Sequence, residues 1–213
     1  MTRPRTPKGR AREVRIRLDG EYPDARCELD HRNPYELLAA TILSAQCTDV
    51  RVNMVTPALF ARYPAPEDLA AADPLDVEDL VRSTGFYKNK TKSLVGMAQA
   101  LVERFDGEVP REMADLVTIP GVGRKTANVV RSVAMDLPGL PVDTHVLRLS
   151  GRLGLTTETD PVKVEHALNP MVPAVDRGRF SLLLILHGRR VCAARTPRCG
   201  ECVLADFCPS SRV

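Results

Sequence analysis

The amino-acid sequence predicts an all-α fold, two helical domains rather than a sheet. Apolar residues recur at spacings of three and four along most of the chain. An Asn or Asp followed directly by proline, the mark of a capped helix start, occurs at Asn33-Pro34, Asp73-Pro74 and Asp160-Pro161. Segments that alternate apolar and polar residues, as strands do, are scarce.

The N-terminal stretch MTRPRTPKGRAREVRIR is positively charged and is followed by no apolar run, so it is not a signal peptide. Residues 1–17 are expected to be a disordered basic tail; the alternative is an arm that touches DNA phosphates. After the cap Asn33, with Glu36 as its partner three residues on, LLAATILSA (37–45) is apolar on nearly all sides. Such a helix is buried, not amphipathic. A second helix starts near Asp49, with Val52, Val55 and Leu59 on one face. Over residues 88–105, Leu94, Met97, Ala98, Leu101 and Phe105 form the clearest stripe.

Residues 113–134, MADLVTIPGVGRKTANVVRSVA, read as a short helix, a Pro-Gly-x-Gly turn and a second helix. Val122, Val129, Val130, Val133 and Ala134 are expected on its apolar side, and Arg124, Asn128 and Arg131 on a polar stripe. Another helix passes through Val146, Leu149 and Leu153. A last one, from about Arg179, carries Phe180, Leu183, Leu184 and His187. No internal repeat or low-complexity linker interrupts the pattern.

The chain's 213 residues suffice for one large or two small domains. Its 44% hydrophobic and 27% charged residues are those of a globular protein. A net charge of +3 excludes protamine-like binding but permits a basic face. No run of 18 apolar residues exists to cross a membrane. Without an export signal the expected compartment is the reducing cytoplasm, at the nucleoid, which argues against a disulfide framework. Four Tyr, five Phe and no Trp are few for a protein that stacks single-stranded bases.

Cys192, Cys199, Cys202 and Cys208 are spaced C-x6-C-x2-C-x5-C, whereas Cys27 and Cys47 are isolated. Four thiolates so close in sequence can surround one metal centre, and both Zn²⁺ and iron–sulfur clusters accept such a set. The wide first loop favours the larger cubane cluster. Free or disulfide-bonded cysteines are the plain alternative. Arg195 and Arg198 lie in that loop, which a metal centre would hold rigid and able to present cations to phosphates. Ordinary solvated arginines are the competing reading.

In the hairpin, Gly121 and Gly123 allow backbone conformations that a side chain would forbid. They also let a phosphate approach the N–H groups at the start of the second helix. Arg124, Lys125 and Thr126 follow directly, and Val122 sits within the turn. A helical corner without a ligand is the plain alternative. Lys125 suits a phosphate contact or, more sharply, a nucleophilic amine that forms a Schiff base with a sugar carbon. The latter role needs a neutral amine, hence desolvation or nearby cations. Asp143, before Thr144 and His145, reads as an N-cap that could also move a proton or stabilise a cationic sugar.

With ILSAQCTD (42–49), TGFYKNK (84–90), IPGVGRKTANVV (119–130), VDTHV (142–146), LHGRRVC (186–192) and the cysteine spacing in place, the chain resembles the endonuclease III family of the helix–hairpin–helix superfamily. The resemblance spans about residues 22–208. It implies a six-helix domain over 27–135 and a second domain built from 1–26 with 136–213. The second would hold a [4Fe-4S] cluster on the four cysteines, and DNA would lie in the cleft between the two. It further implies that Lys125 is the Schiff-base lysine and Asp143 the catalytic aspartate. Gln46 fills the gap left by an extruded base, Phe86 stands in the loop that wedges into the duplex, and His145 lies near the lesion pocket. Phe86 stands where the best-known members carry leucine, and Cys47 where they often carry alanine. Those departures bear on lesion preference, not on the chemistry.

The implied activity is removal of oxidised pyrimidines, such as thymine glycol, from duplex DNA, with AP lyase activity by β-elimination. The implied partner is double-stranded DNA with a damaged pyrimidine or an abasic site, bound by a monomer. Two readings compete. A monofunctional relative, such as the adenine-mismatch enzyme, lacks the lysine, places a carboxylate in the early helix and adds a C-terminal domain. Here Lys125 is present, Gln46 occupies the early helix, and the sequence stops five residues after Cys208. A non-catalytic DNA-binding module, gripping phosphate with the hairpin and a zinc site, would not need both Lys125 and Asp143.

Overall fold

The structure is a computed structural model that describes residues 4–213. Eleven α-helices and three short 3-10 turns, with no strand, make up the described residues. They divide into two compact units: the segment up to Arg26 with Asp136–Val213, and Cys27–Met135.

The continuous unit begins with α2 (Pro34–Leu43). Asn33 Oδ1 accepts the Glu36 N–H at 2.9 Å. Glu36 reaches one residue further back than a capping box would: its Oε2 accepts the Arg32 N–H at 2.7 Å, and Arg32 pairs with the same carboxylate. Every α2 residue after Pro34 is buried, as its all-round apolar sequence requires. α3 (Asp49–Arg62), capped by Thr48, places Val52, Val55 and Leu59 in the core. α4 (Pro66–Ala70) and α5 (Pro74–Val81) are short. α6 (Tyr87–Phe105) buries Leu94, Met97, Ala98 and Leu101, the predicted stripe. α7 (Met113–Leu116) and α8 (Arg124–Ala134) flank the glycine turn. The unit thus has seven helical segments where the resemblance implies six; α7 is a single turn.

The face of α8 differs from the expected one. Asn128 is buried with Ala127 and Val130, while Val133 is exposed. The apolar pattern of this short helix fits two rotations, and packing of Ala127 and Val130 into the core selects one.

In the discontinuous unit, α1 (Pro7–Glu21) replaces most of the expected disordered tail. Thr6 caps it, and Ala11, Val14 and Leu18 are buried. Residues 1–3 of that expected tail lie outside the described residues. The cations of α1 are also used structurally: Arg10 donates to Gly154 O at 2.5 Å, and Arg17 to Val203 O at 2.8 Å. A segment rich in arginine is ordered here because one narrow stripe of it is apolar and its charges find carbonyls. α9 (Thr144–Arg152), α10 (Pro161–Leu168) and α11 (Arg177–Arg190) complete the core, where Phe180, Leu183 and Leu184 meet Leu149 and Leu18. No helix of the described residues is long and apolar enough to cross a membrane.

Candidate functional site

The glycine turn sets the first part of the site. Gly121 has φ +78°, and a Cβ there would stand 2.7 Å from Ser93 Cβ, so both conformation and space demand glycine. Gly123 differs from the expectation. Its φ of −86° is open to any residue, and a Cβ would meet nothing within 4 Å. It leaves open space before the start of α8, the end of a helix where the dipole favours negative charge. Val122 is buried and its N–H donates to Ile119 O at 3.0 Å, so it anchors the turn from inside. Arg124, Lys125 and Thr126 occupy the first turn of α8, with Lys125 exposed.

Two exposed loops of the same unit hold Gln46 and Phe86. Gln46 closes the turn after α2 with φ +53°. Phe86 caps α6 at φ +49° and is 64% exposed. It follows Gly85, whose φ 70°, ψ 157° is a region essentially reserved for glycine. Two non-glycine residues held left-handed, both with exposed polar or aromatic side chains, mark these loops as built to present something. Lys90 underpins the second loop: it is 5% exposed, and its Nζ donates to Thr84 O at 2.7 Å. Burial pushes its pKa down, against an opposing influence from Cys47.

In the other unit, Asp143 is the N-cap of α9. Its Oδ1 accepts the N–H groups of His145 and Val146, both at 2.8 Å, and leaves its second oxygen out of the cap. His145 is half-buried against Gly188, where a Cβ would stand 2.8 Å from its Nδ1. Arg148 Nη2 lies 3.1 Å from that same nitrogen. An arginine only donates, so His145 Nδ1 is the acceptor.

Cys192, Cys199, Cys202 and Cys208 line one cavity, walled otherwise by Leu149, Leu153 and Leu204 among others. None of the four is in a disulfide. Among the described residues no group of three His, Cys, Asp or Glu side chains is placed to hold a single metal ion. Burial pushes the Cys202 and Cys208 thiols up, so as thiolates they require positive centres beside them. Four cysteine sulfurs around a mostly apolar cavity fit an iron–sulfur cluster. The Arg152 Nη1 lies 3.3 Å from Cys192 Sγ and donates to Ala193 O at 2.8 Å. Arg148 donates to Cys192 O at 3.0 Å. This grip on the loop, from two arginines four apart on α9, escaped the sequence reading; the i, i+4 pair on the helix after VDTHV was the available sign.

Arg195 and Arg198 are both exposed on the loop. Arg198 is engaged locally, with the Arg190 carbonyl and with Glu201 at 3.1 Å. Arg195 has no such partner among the described residues. His187, expected only as part of an apolar stripe, lies 3.2 Å through Nε2 from Cys202 Sγ. Burial pushes its pKa down to about 4.

Residues 39–174 match the HhH-GPD superfamily of base excision DNA repair proteins, and 192–208 match the iron–sulfur binding domain of endonuclease III. The chain is 55% identical over 206 residues to endonuclease III of Synechocystis sp., covering 96% of this chain and 94% of the relative. It is 47% identical to that of Bacillus subtilis, covering 88% and 86%. A solved trapped endonuclease III–DNA covalent intermediate, in an estranged-adenine complex, superposes with TM-score 0.89 at 42% identity over 95% of this chain and 96% of that one. A thermostable thymine-DNA glycosylase shares the fold at 21% identity, TM-score 0.86, over 94% and 96%. Fold and hairpin together define a helix–hairpin–helix base excision repair glycosylase. The chain belongs to the endonuclease III family within that superfamily. It is a DNA glycosylase with AP lyase activity and carries a [4Fe-4S] cluster.

Proposed function

We propose that this enzyme, acting as a monomer, removes oxidised pyrimidines such as thymine glycol from duplex DNA and nicks the resulting abasic strand by β-elimination. The observation that carries this reading is the placement of Lys125. It is exposed at the second position of α8, directly behind the open approach that Gly123 leaves for a phosphate. Backbone bound there brings a sugar to the amine.

A damaged base leaves the stack more easily than a sound one. Gln46 fills the vacated space and Phe86 wedges between bases. A proton leaves Lys125 Nζ, which then attacks C1′ of the sugar and displaces the base. The C1′–O4′ bond of the sugar then opens, O4′ taking up a proton, so that the Nζ–C1′ bond becomes a Schiff base; loss of a C2′ proton then expels the 3′ phosphate. Asp143, with one oxygen outside its cap, moves the proton and stabilises the positive charge that develops on the sugar. His145 stands beside it, and Arg195 with Arg198 and Thr126 with Arg124 hold phosphates.

Cys192, Cys199, Cys202 and Cys208 hold the cluster, which when bound ties both ends of the arginine loop to one rigid centre. The relative trapped as a covalent DNA intermediate supports a step in which enzyme and DNA are bonded.

The test is borohydride trapping on a duplex with one thymine glycol, with Lys125→Ala and Asp143→Asn alongside. A protein–DNA adduct that disappears in Lys125→Ala is expected, with base release slowed at least a hundredfold in both variants. Base release without any adduct would move the enzyme to the monofunctional class. No release with intact duplex binding would remove thymine glycol as a substrate.

A further inference from the structure

Tyr22 and His187 take no part in the reaction proposed above, yet both are buried polar side chains, 6% and 2% exposed. They form a chain that ends on a cysteine. Tyr22 Oη lies 3.1 Å from His187 Nδ1, and His187 Nε2 lies 3.2 Å from Cys202 Sγ. Their rings are 6.1 Å apart and tilted by 55°. Tyr22 is the C-cap of α1, its own N–H bonded to Leu18 O, and the Arg190 guanidinium covers its ring at 5.2 Å. The three residues come from α1, α11 and the cysteine loop, so the fold assembles the chain from segments far apart in sequence.

The direction of the hydrogen bonds follows from elementary chemistry. A cysteine that ligates a cluster is a thiolate and has no proton to give. An imidazole bearing a single proton must then carry it on Nε2, pointed at Cys202 Sγ. Nδ1 is left with a lone pair, and the Tyr22 hydroxyl faces it with a proton. All polar atoms of the chain are satisfied in this one direction. Cys202 Sγ also receives the Leu204 N–H at 3.4 Å.

We propose that the Tyr22–His187 relay tunes the [4Fe-4S] cluster, donating to Cys202 and raising the cluster's reduction potential. A hydrogen bond to a cluster sulfur strengthens as that sulfur gains negative charge. It therefore favours the form with the additional electron, and its effect is large where water is excluded. Tyr22 acts by holding the His187 proton on Nε2, as outer partners commonly fix the tautomer of an imidazole near a metal. Both are positioning residues: neither touches DNA in this reading. The inference depends on the cluster and not on the lyase mechanism.

The experiment is voltammetry of the cluster-loaded full chain without DNA, comparing Tyr22→Phe, His187→Phe and His187→Gln. His187→Phe removes the donor, and its midpoint is expected to move negative by roughly a tenfold change in the equilibrium ratio, about 59 mV for one electron. Tyr22→Phe moves it in the same direction by less. His187→Gln retains an N–H donor and recovers part of the shift. A residue that only fills space would leave the potential unchanged. Full cluster content with an unmoved potential in His187→Phe overturns the proposal. If that variant fails to load its cluster, the near-isosteric Tyr22→Phe decides, and an unmoved midpoint there overturns the relay.

Discussion

Asp143 caps α9, and its proposed chemical role can be separated from that structural one. As N-cap of α9 it accepts two N–H groups through a single oxygen. Asparagine keeps an acceptor oxygen for the cap but loses the charge. Asp143→Ala is therefore expected to lose about 1 kcal/mol of stability in urea titrations, and Asp143→Asn a few tenths at most. Both are expected to lose adduct formation. Equal stability losses in the two variants would show that the cap does not depend on the acceptor oxygen. Lys90 makes a second prediction, with a definite sign. Burial lowers its folded pKa below the ordinary 10.5. Between the lowered value and 10.5 the unfolded chain binds more protons than the folded one, so this residue's contribution to stability rises with pH. Below the lowered value the cost of the buried charge is present in full. Relative to Lys90→Met, the parent protein should gain stability as pH rises from neutral towards 10.5, read as the difference in urea midpoints. A difference that stays flat or falls with pH contradicts this.

The hairpin formed by α7, the glycine turn and α8 assigns different tasks to its two glycines. Gly121 is held at φ +78° and packs where a Cβ would overlap Ser93. Gly121→Ala is expected to cost about 1–3 kcal/mol, with the overlap adding to the backbone strain. Gly123 has an ordinary φ and open space ahead of it. Gly123→Ala is expected to cost less than about 1 kcal/mol but to weaken duplex binding, since its methyl enters the space a phosphate would use. Thermal melts and duplex affinities at one fixed salt concentration distinguish the pair. Unchanged affinity in Gly123→Ala would remove the turn as a phosphate seat. The loop at Phe86 follows the same logic: strain at Gly85 and Phe86 is kept by α6 on one side and the Lys90–Thr84 bond on the other.

Across the chain, the discontinuous unit depends on α1. Val14 and Leu18 are fully buried, each stabilising by about 1.5–3 kcal/mol, and Ala11 and Tyr22 add to them. That sum is comparable with much of a domain's net stability, about 5–15 kcal/mol. Deletion of residues 1–22 should therefore abolish the unit's cooperative melt and its iron content, whereas deletion of residues 1–5 should leave both near those of the full chain. Iron per chain and calorimetry provide the readout. If the longer deletion kept its cluster and its melting temperature, α1 would be a dispensable appendage.

Much of this molecule was legible in its residues before any coordinates. The starts at Asn33, Asp73 and Asp160, the stripe of α6, the buried character of α2 and the four-cysteine spacing are all local signals. They depend on neighbours within a turn or two, and helix geometry converts sequence spacing directly into position. What the residues left open depends on groups distant in sequence. Nothing near residues 7–21 reveals that Arg10 and Arg17 find carbonyls at Gly154 and Val203, and so a segment that reads as a solvated tail is a core helix. The rotation of α8, which buries Asn128 and exposes Val133, was decided by the core around Ala127 and Val130. Arg148 and Arg152 at the cysteine loop, and Tyr22 behind His187, belong to the same class. The chain's own sequence determined its helices, its four-cysteine spacing and its family, because those follow from short-range pattern. Only tertiary structure decided which buried polar groups meet, because a partner's identity depends on where the whole fold closes.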